Sequence, residues 1–418
     1  MGFAGGLDLP PELVFMKDAF RSYYSNNPVQ APERFTRREW GFFPFGGKMM
    51  FRHIAFIRKD DLDGFFKDTV PMHAYYSTAY YNDPSLQPMG EKVKTWMGAD
   101  LIFDLDADHL PDADEMTYTQ QLKVVKEEVK KLLEKFILGD LGFPEENTHL
   151  YFSGGRGYHV HVRDPNILNL DSRDRRQIVD YITGKNIDFN ILFPEKVKDY
   201  NPRFRSYKIT RKFRNREYGG WVKKTYEGRD ELIHLLEKLP DKKSRINTLL
   251  KYSNKKKLQI KEKKCETIIN DLFYDGDGKT YQHMIEKDIF THTKLDRIDK
   301  EFLQLSASFS SLDLSGETDE PVTTDIKRLI RCPGSLHGKT GLKVVKVPLD
   351  GIDEFDPLRD AVALPDDPVS IVLKERTDQE LGGAHHHFEP GEQEVPTYLA
   401  YFLVARRIAV MGDSDTDH

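Results

Sequence analysis

The stretch Leu101-Ile-Phe-Asp-Leu-Asp-Ala-Asp-His109 is an apolar, β-prone run that carries two aspartates near its end. Side chains alternate between the two faces of a strand, so Asp104 and Asp106 share one face while Leu105 points into the core. Two carboxylates held close together on a stiff strand repel each other, and a divalent cation relieves that repulsion. The stretch therefore predicts a Mg²⁺ or Mn²⁺ site. The alternative is a strand that ends in an acidic turn without a ligand.

Composition sets the outer limits of the interpretation. With 418 residues, of which 39% are hydrophobic and 31% charged, the chain can form one large domain and a subdomain. No run approaches the roughly 18 apolar residues that span a membrane, and the N-terminus lacks a charged segment followed by an apolar one. These features predict a cytoplasmic protein without a membrane partner. Cys265 and Cys332 are the only cysteines, so no disulfide framework and no structural zinc are expected.

A second stretch, His149-Leu-Tyr-Phe-Ser-Gly-Gly-Arg-Gly-Tyr-His-Val-His-Val162, places three glycines and an arginine between two β-prone runs. Glycines let backbone N–H groups approach an anion closely, and Arg156 supplies positive charge. Ser153 ends the first predicted strand, and His159 and His161 share one face of the second. A serine, an arginine and a histidine that converge on one glycine turn favour triphosphate recognition. The alternative is an ordinary glycine-rich hairpin with surface histidines.

The third stretch, Asp319 to Gly341, brings cations close to two further carboxylates. Thr323 or Thr324 is suited to cap a short helix over Asp325–Arg331, which Pro333 stops. Four cations fall within a dozen residues of each other: Arg328, Arg331, His337 and Lys339.

Charge is segregated along the chain. Residues 196–264 contain 23 Lys and Arg against 8 Asp and Glu, a formal charge of +15, so the remainder carries −21. Aromatic residues and the run Lys255-Lys-Lys257 lie in the same segment. Basic residues mixed with aromatic ones suit a nucleic-acid backbone with bases to stack on. The alternative is a helical insertion with a solvated charged face.

The rest of the chain predicts a mixture of helices and strands. Apolar spacing predicts helices over 11–24, 119–138 and 395–411, and β-prone runs predict strands over 37–43, 49–56 and 342–347. Arg38 lies in the first of these strands. An arginine there is usually on a solvated face, but it also suits a phosphate.

Together the three stretches resemble the small catalytic subunit of the archaeal and eukaryotic type of DNA primase, and the resemblance covers most of the chain. Asp104-Leu-Asp106 is similar to the family's DxD motif, and Ser153-Gly-Gly-Arg-Gly-Tyr-His159 to its SxxxGxH-like nucleotide motif. The run Arg328-Leu-Ile-Arg-Cys-Pro-Gly-Ser-Leu-His-Gly-Lys-Thr-Gly341 is similar to its carboxy-proximal motif. One such motif alone is a weak signal, whereas three in the right order are highly specific.

The resemblance implies an α/β (α+β) fold. Residues 1–190 and 290–418 would form a mixed-sheet catalytic core flanked by helices, and residues 191–289 a mainly helical, basic insertion. The implied function is the DNA-templated synthesis of short RNA, or mixed RNA/DNA, primers by two-metal nucleotidyl transfer. The implied partners are single-stranded DNA, nucleoside triphosphates and a large regulatory subunit of the primase.

The resemblance also assigns roles to residues. Asp104, Asp106 and a third aspartate would carry two Mg²⁺ or Mn²⁺ ions. The triphosphate would be bound by residues of the second and third stretches: Ser153, Arg156, His159, Arg331 and His337. Arg38, in the family's strand-borne Arg-Glu-aromatic pattern, is a further candidate for that site. Many family members carry a zinc knuckle soon after the DxD, but the corresponding loop here has no cysteine, so a structural zinc is not carried over.

The third aspartate is either Asp319 or Asp325. Asp325 falls in the first turn of the predicted helix, where the helix dipole and capping already account for a carboxylate. Asp319 precedes a β-prone Pro-Val-Thr run that would project it from a strand beside Asp104 and Asp106, and the family's third aspartate likewise lies upstream of a valine. We therefore expect Asp319 to be the third ligand.

Two other functions stay open at this point. A primase-polymerase of repair or mobile-element type would share the active site but act in a different pathway. A non-enzymatic nucleotide- or metal-binding module of a DNA complex is a different class of protein, and the three-aspartate pattern argues against it.

Overall fold

The computed structural model describes residues 9–87, 94–107, 113–203, 206–211, 214–276, 278–290, 300–312 and 319–412; of residues 114, 195–199, 201, 206–211 and 319–321 only the backbone is described. The chain divides into two compact units. The two-segment unit comprises Met1–Gln177 and Leu314–His418, and the helical unit comprises Ile178–Asp313. The predicted insertion, 191–289, lies within the helical unit, which begins earlier and ends later than that range.

The secondary structure is a mixture of helices and antiparallel strands, so the predicted α+β class is confirmed. The described helices are α1 (Pro11–Asn26), α2 (Lys59–Thr69), α3 (Tyr118–Lys131), α4 (Ser172–Thr183), α5 (Phe189–Leu192), α6 (Gly220–Glu237), α7 (Lys242–Lys255), α8 (Glu262–Phe273), α9 (Thr280–Glu286), α10 (Lys300–Ser310), α11 (Asp319–Thr324), α12 (Pro357–Asp360) and α13 (Thr397–Ala405). In the described part of the chain no helix is long and apolar enough to cross a membrane.

The described strands run from β1 to β17. They are β1 (Trp40–Phe43), β2 (Phe51–Ile54), β3 (His73–Ser77), β4 (Ala79–Tyr81), β5 (Trp96–Ala99), β6 (Leu101–Asp106), β7 (Thr148–Phe152), β8 (Gly157–Val162), β9 (Glu195–Asn201), β10 (Ser206–Arg211), β11 (Leu329–Arg331), β12 (Val345–Val347), β13 (Pro368–Leu373), β14 (Thr377–Leu381), β15 (Ala384–Phe388), β16 (Gly391–Pro396) and β17 (Ala409–Met411).

Two four-stranded antiparallel sheets organise the two-segment unit. The first has the order β12-β7-β8-β6, and the second has the order β11-β3-β1-β2. The predicted strands over 37–43, 49–56 and 342–347 are confirmed over shorter ranges, as β1, β2 and β12. Each sheet joins the N-terminal segment of the unit to its C-terminal segment, because β12 pairs with β7 and β11 pairs with β3.

Helix α3 covers the apolar face of the first sheet. Thr117 and Gln120 form a capping box at its start, in which the Thr117 hydroxyl accepts the Gln120 backbone N–H and the Gln120 side chain accepts the Thr117 N–H. Leu122, Val125 and Val129 are buried along one side of the helix, which packs against β6 and β8. The prediction of one helix over 119–138 is confirmed in part, because the last turns, Leu132–Asp140, widen to a π-helix.

The helix predicted over Asp325–Arg331 is wrong. Leu329–Arg331 forms β11, in which Leu329 pairs with Ser77 and Arg331 with Tyr75 of β3. Asp325 closes a turn instead, because its carboxylate accepts the backbone N–H of Lys327 at 2.9 Å. The strand expected at Asp319 is also wrong, since Asp319 begins α11. Pairing with a distant strand outweighs the local capping signal that predicted the helix.

The single helix predicted over 395–411 is wrong at both ends. Helix α13 covers only Thr397–Ala405, and the strands β16 and β17 on either side of it both pair with β13. Arg407 adopts a left-handed conformation, with φ of 65°, that ends the helix. The helix packs against α1, where the rings of Phe20 and Tyr401 stack with centroids 5.0 Å apart.

In the helical unit, α6 and α10 pack closely through a glycine. A Cβ added to Gly228 would lie 1.9 Å from the backbone carbonyl oxygen of Ser306, a distance at which one helix has to move. The close approach of the two backbones therefore requires glycine at this position.

We expect Gly228→Ala to lower the free energy of unfolding by about 3 kcal/mol, because the added methyl group meets backbone atoms that cannot rotate away. Gly64→Ala is the matched control: Gly64 lies within α2 and has nothing within 4 Å of the added Cβ. That change is expected to stabilise the protein by about 0.5–1 kcal/mol through helix propensity. Urea unfolding followed by circular dichroism measures both, and equal effects of the two changes would contradict the close packing of α6 on α10.

Candidate active site

Asp104 and Asp106 share one face of β6, as the sequence predicted. Strand β6 pairs with β8 so that Asp104 lies opposite His159 and Asp106 lies opposite Gly157. Leu105 is buried on the other face. The side chain of Asp104 is 22% exposed, so it is partly accessible to solvent.

The carboxylate of Asp104 is held in its ionised form. Its Oδ1 lies 3.3 Å from Nε2 of His159. Burial by itself raises the pKa of Asp104, but the charge and hydrogen bond of His159, together with Arg328 and Arg331, outweigh it, so the net pKa lies below the usual value. An ionised carboxylate surrounded by donors is suited to ligate a hard cation.

The glycine turn between β7 and β8 is fixed by hydrogen bonds within the unit. Gly154 has a φ of 77°, which favours glycine. The hydroxyl oxygen of Ser153 accepts the backbone N–H groups of Gly155 and Gly157, each at 3.3 Å. The hydroxyl of Tyr118 donates to the carbonyl of Gly155 at 2.5 Å. Ser153 therefore acts on the turn itself, and Arg156 lies at its tip, half-buried.

His337 lies against this glycine turn although it is far away in sequence. A Cβ added to Gly155 would lie 3.2 Å from Nε2 of His337. Its Nδ1 lies 3.3 Å from the backbone N–H of Lys339, which can only donate, so Nδ1 is the acceptor and Nε2 carries the proton. Burial, with Arg331 and His73 nearby, keeps the pKa of His337 well below its usual value. A neutral imidazole therefore directs an N–H group toward the turn.

His73 is a residue of this region that the sequence motifs did not reveal. Its Nδ1 lies 2.9 Å from Nη1 of Arg331 and 3.3 Å from the backbone nitrogen of Gly338. Its ring packs edge-on against that of His337, with centroids 5.1 Å apart. His73 and Arg331 are 258 residues apart in the chain, so no spacing pattern links them.

The donor set fits a divalent cation. Asp104 and Asp106 offer carboxylate oxygens on one face of a rigid strand, which are the ligands that Mg²⁺ and Mn²⁺ prefer. Across the described residues no group of three or more His, Cys, Asp or Glu is placed to hold a metal. The side chain of Asp319 lies outside the described atoms, although the helix that it begins, α11, packs against β6.

Comparison with known proteins decides the family. The profile of the DNA primase small subunit family matches residues 103–350, which include Asp104, the glycine turn and His337. The proteins named DNA primase small subunit PriS from Methanosarcina barkeri and Picrophilus torridus are 38% and 36% identical to this chain; the alignments cover 95% and 93% of the chain, and 96% and 95% of the relative. The PriS protein of Methanocella arvoryzae is 35% identical over 94% of this chain and 97% of its own length. The chain belongs to the DNA primase small subunit family.

The structure brings most of the residues predicted for the primase site together. In the two-segment unit, Asp104 contacts His159 and interacts electrostatically with Arg331. Ser153 contacts the glycine turn. His337 lies against the same turn and interacts electrostatically with Arg331. Residues 108–112, which include His109, lie outside the described residues.

Arg38, the remaining candidate for the triphosphate site, belongs to a separate buried network. Its side chain is fully buried and makes an ion pair with Asp100 at 2.8 Å. Its five N–H donors are all used: four further hydrogen bonds go to the carbonyls of Glu33, Ser77 and Thr78 and to the hydroxyl of Tyr80. Asp100 also accepts hydrogen bonds from Tyr80 and Arg163. In this conformation Arg38, which lies two residues before β1, links that part of the chain to the segments around β4 and β6 and has no donor left for a phosphate.

We expect Asp100→Ala to lower the free energy of unfolding by about 3–5 kcal/mol, because it leaves the buried charge of Arg38 without its partner. The matched control is Asp61→Ala, which removes the partner of Arg58 in an ion pair on the surface of α2. That pair is exposed to solvent, so its loss is expected to leave the unfolding midpoint unchanged. Chemical unfolding of both variants tests this, and a midpoint for Asp100→Ala equal to that of the unchanged protein would contradict the structural role of Arg38.

Proposed function

We propose that this chain is the catalytic subunit of a DNA primase, a nucleotidyltransferase of the DNA-directed RNA polymerase type. It would synthesise short RNA, or mixed RNA/DNA, primers for replication on single-stranded DNA from nucleoside triphosphates. The observation that carries the proposal is the position of Asp104 and Asp106 on one face of β6, opposite His159 and Gly157 of the strand that follows the glycine turn, with His159 3.3 Å from Asp104. Membership of the primase family supports the same reaction.

Asp104, Asp106 and Asp319 would hold the divalent ions. Two such ions, when bound, stabilise the attacking and leaving oxygens of a phosphoryl displacement. His159 would orient the Asp104 carboxylate through the contact at 3.3 Å. The chain's own contribution is to hold Asp104 and Asp106 on one face of a stiff strand, with the pKa of Asp104 lowered, before the substrate arrives.

The triphosphate would be bound by side chains close to the glycine turn. The Nε2–H of His337 and the cations Arg156 and Arg331 suit phosphate oxygens. Because Ser153 already accepts two N–H groups of the turn, its role would be to fix the turn in the shape that receives the anion. We leave Arg38 out of this set because its donors are used elsewhere.

The partners follow from the relatives' description. Those proteins are named small subunits, which implies a larger subunit for them, and we propose that this chain also acts with a large regulatory subunit. The basic segment 196–264 is a candidate for contact with the template, and within it Lys255 and Lys257 are exposed at the end of α7. No structural zinc is expected: Cys265 lies in the helical unit and Cys332 in the two-segment unit, both buried as free thiols.

The test of the function is primer synthesis by the purified chain from ATP on a poly(dT) template, with and without the large subunit. A replicative primase makes primers from ribonucleotides without a pre-existing 3′ end, and the large subunit changes the yield or the length of its products. A primase-polymerase of repair or mobile-element type would extend a supplied primer without needing that subunit. A non-enzymatic module would incorporate nothing, which would refute the proposal.

We expect Asp104→Asn and Asp106→Asn each to abolish incorporation while leaving the fold intact, because each change removes a ligand charge but keeps the side-chain volume. Asp68→Asn, an exposed position at the end of α2, is the control and should retain full activity. Incorporation of labelled nucleotide in saturating Mn²⁺ measures the effect. More than a few per cent of residual activity in either strand variant would argue against the two-metal mechanism.

The choice of the third ligand gives a separate prediction. Asp325 is exposed and its carboxylate is already occupied by the N–H of Lys327, so Asp325→Ala should cost only about 0.5–1.5 kcal/mol of stability and keep activity. Asp319→Ala should be as inactive as Asp104→Ala. Primer synthesis and thermal unfolding of the two variants decide between them, and an inactive Asp325→Ala beside an active Asp319→Ala would reverse the assignment.

A further inference from the structure

We propose that His73 is a positioning residue of the nucleotide site, which holds Arg331 and the turn at Gly338 in the orientation that receives the triphosphate. The inference rests on the proposed function, because that function assigns Arg331 and His337 to the triphosphate. His73 belongs to none of the three sequence motifs, and its role follows from its contacts.

The hydrogen bonds of His73 fix the state of its ring. Nδ1 lies 2.9 Å from Nη1 of Arg331 and 3.3 Å from the backbone nitrogen of Gly338. A guanidinium N–H and a backbone N–H can only donate, so Nδ1 has to present its lone pair to both. The ring is therefore neutral, with its proton on Nε2. A charged ring would set an N–H group against two donors.

The surroundings keep the ring in that state. Burial, with Arg331 and Lys339 nearby, lowers the pKa of His73 to about 3. His73 thus stays an acceptor throughout the neutral range. It adds no positive charge to a region that already contains several cations, and it offers a hydrogen-bond acceptor to the guanidinium of Arg331.

One ring connects two predicted triphosphate residues that arise from different elements. His73 belongs to β3, Arg331 to the neighbouring strand β11, and Gly338 to the turn immediately after His337. The His73 ring also packs edge-on against the His337 ring at 5.1 Å. A displacement of His73 would therefore move Arg331 and His337 together.

The plane of the Arg331 guanidinium is fixed from two directions. His73 accepts one of its N–H groups in the plane, and the ring of Tyr75, two residues further along β3, lies under its Cζ at 5.1 Å. Arginine recognises phosphate through a planar fork of donors, so the orientation of that plane decides which N–H groups reach the anion. A lysine ammonium group is a point charge without a plane, so it would not need to be oriented in this way.

The experiment compares three substitutions of His73 in the full chain, with initial rates of primer synthesis measured as a function of ATP concentration. His73→Phe keeps a planar ring but removes the acceptor. His73→Asn places an amide oxygen close to the position of Nδ1, and His73→Gln places one closer to that of Nε2. His149→Asn is the control, because His149 is a partly buried histidine whose pKa is also lowered, to about 4, but which does not contact Arg331 through any described hydrogen bond.

We expect His73→Phe to raise the KM for ATP about tenfold, the equivalent of one lost hydrogen bond to a charged group, with kcat and template binding little changed. His73→Asn should restore most of the KM, whereas His73→Gln and His73→Phe should behave alike. His149→Asn should keep the original KM. A merely structural role predicts instead that all three His73 variants lose activity in proportion to their loss of thermal stability, and that result would overturn the proposal.

A double-mutant cycle separates this inference from the proposed function. If His73 acts through Arg331, His73→Phe should add less than threefold to the KM of Arg331→Ala; fully multiplicative effects would refute the coupling. If Arg331→Ala and Asp104→Asn both keep the original kinetics, the proposed function fails. If both lose activity while His73→Phe keeps the original KM, the function stands and only the role of His73 is refuted.

Discussion

The pairing of β6 with β8 is the constraint on which the site depends. It sets Asp104 opposite His159 and Asp106 opposite Gly157, so one register defines both the position of the carboxylates and that of the glycine turn. A slip of one residue would move both aspartates to the apolar face under α3. The buried residues of that face, such as Phe103 and Val160, therefore protect the geometry of the polar face.

Two buried histidines of the site, His73 and His337, are kept neutral. His73 and His337 are buried beside Arg331, and burial lowers the pKa of both. Neutral imidazoles provide hydrogen-bond acceptors and donors without increasing the repulsion among the cations. Asp104, whose pKa is lowered, lies within electrostatic reach of Arg331 as well. The region thus combines positive charge with an accessible carboxylate, as the proposed binding of a triphosphate and metal ions would require.

The buried network around Arg38 has a structural role, although the sequence made Arg38 a candidate for the triphosphate site. Arg38 and Asp100 lie fully buried, and Tyr80 and Arg163 complete their hydrogen bonds. An ion pair of this kind specifies one arrangement of its strands more than it stabilises it, because desolvation offsets much of the attraction. It joins the segment before β6 to the segment before β1, and so connects the strand that carries Asp104 and Asp106 to the second sheet.

The sequence by itself determined the elements whose signals are local. The alternation around Asp104, the glycines after Ser153 and the apolar spacing of α1 and α3 each act within a few residues, so the strand, the turn and the helices follow from them. The order of the three motifs was enough to indicate the primase family. What only the tertiary structure decided depends on pairs far apart in the chain. Strand β11 replaced a predicted helix because Leu329 pairs with Ser77, and His73 meets Arg331 across 258 residues. Arg38 can be buried because the carboxylate of Asp100 neutralises its charge. In each case the stabilising free energy comes from contact with a residue far away in the sequence. No local pattern reveals that residue, since burial and hydrogen bonding depend on which distant segments the fold brings together.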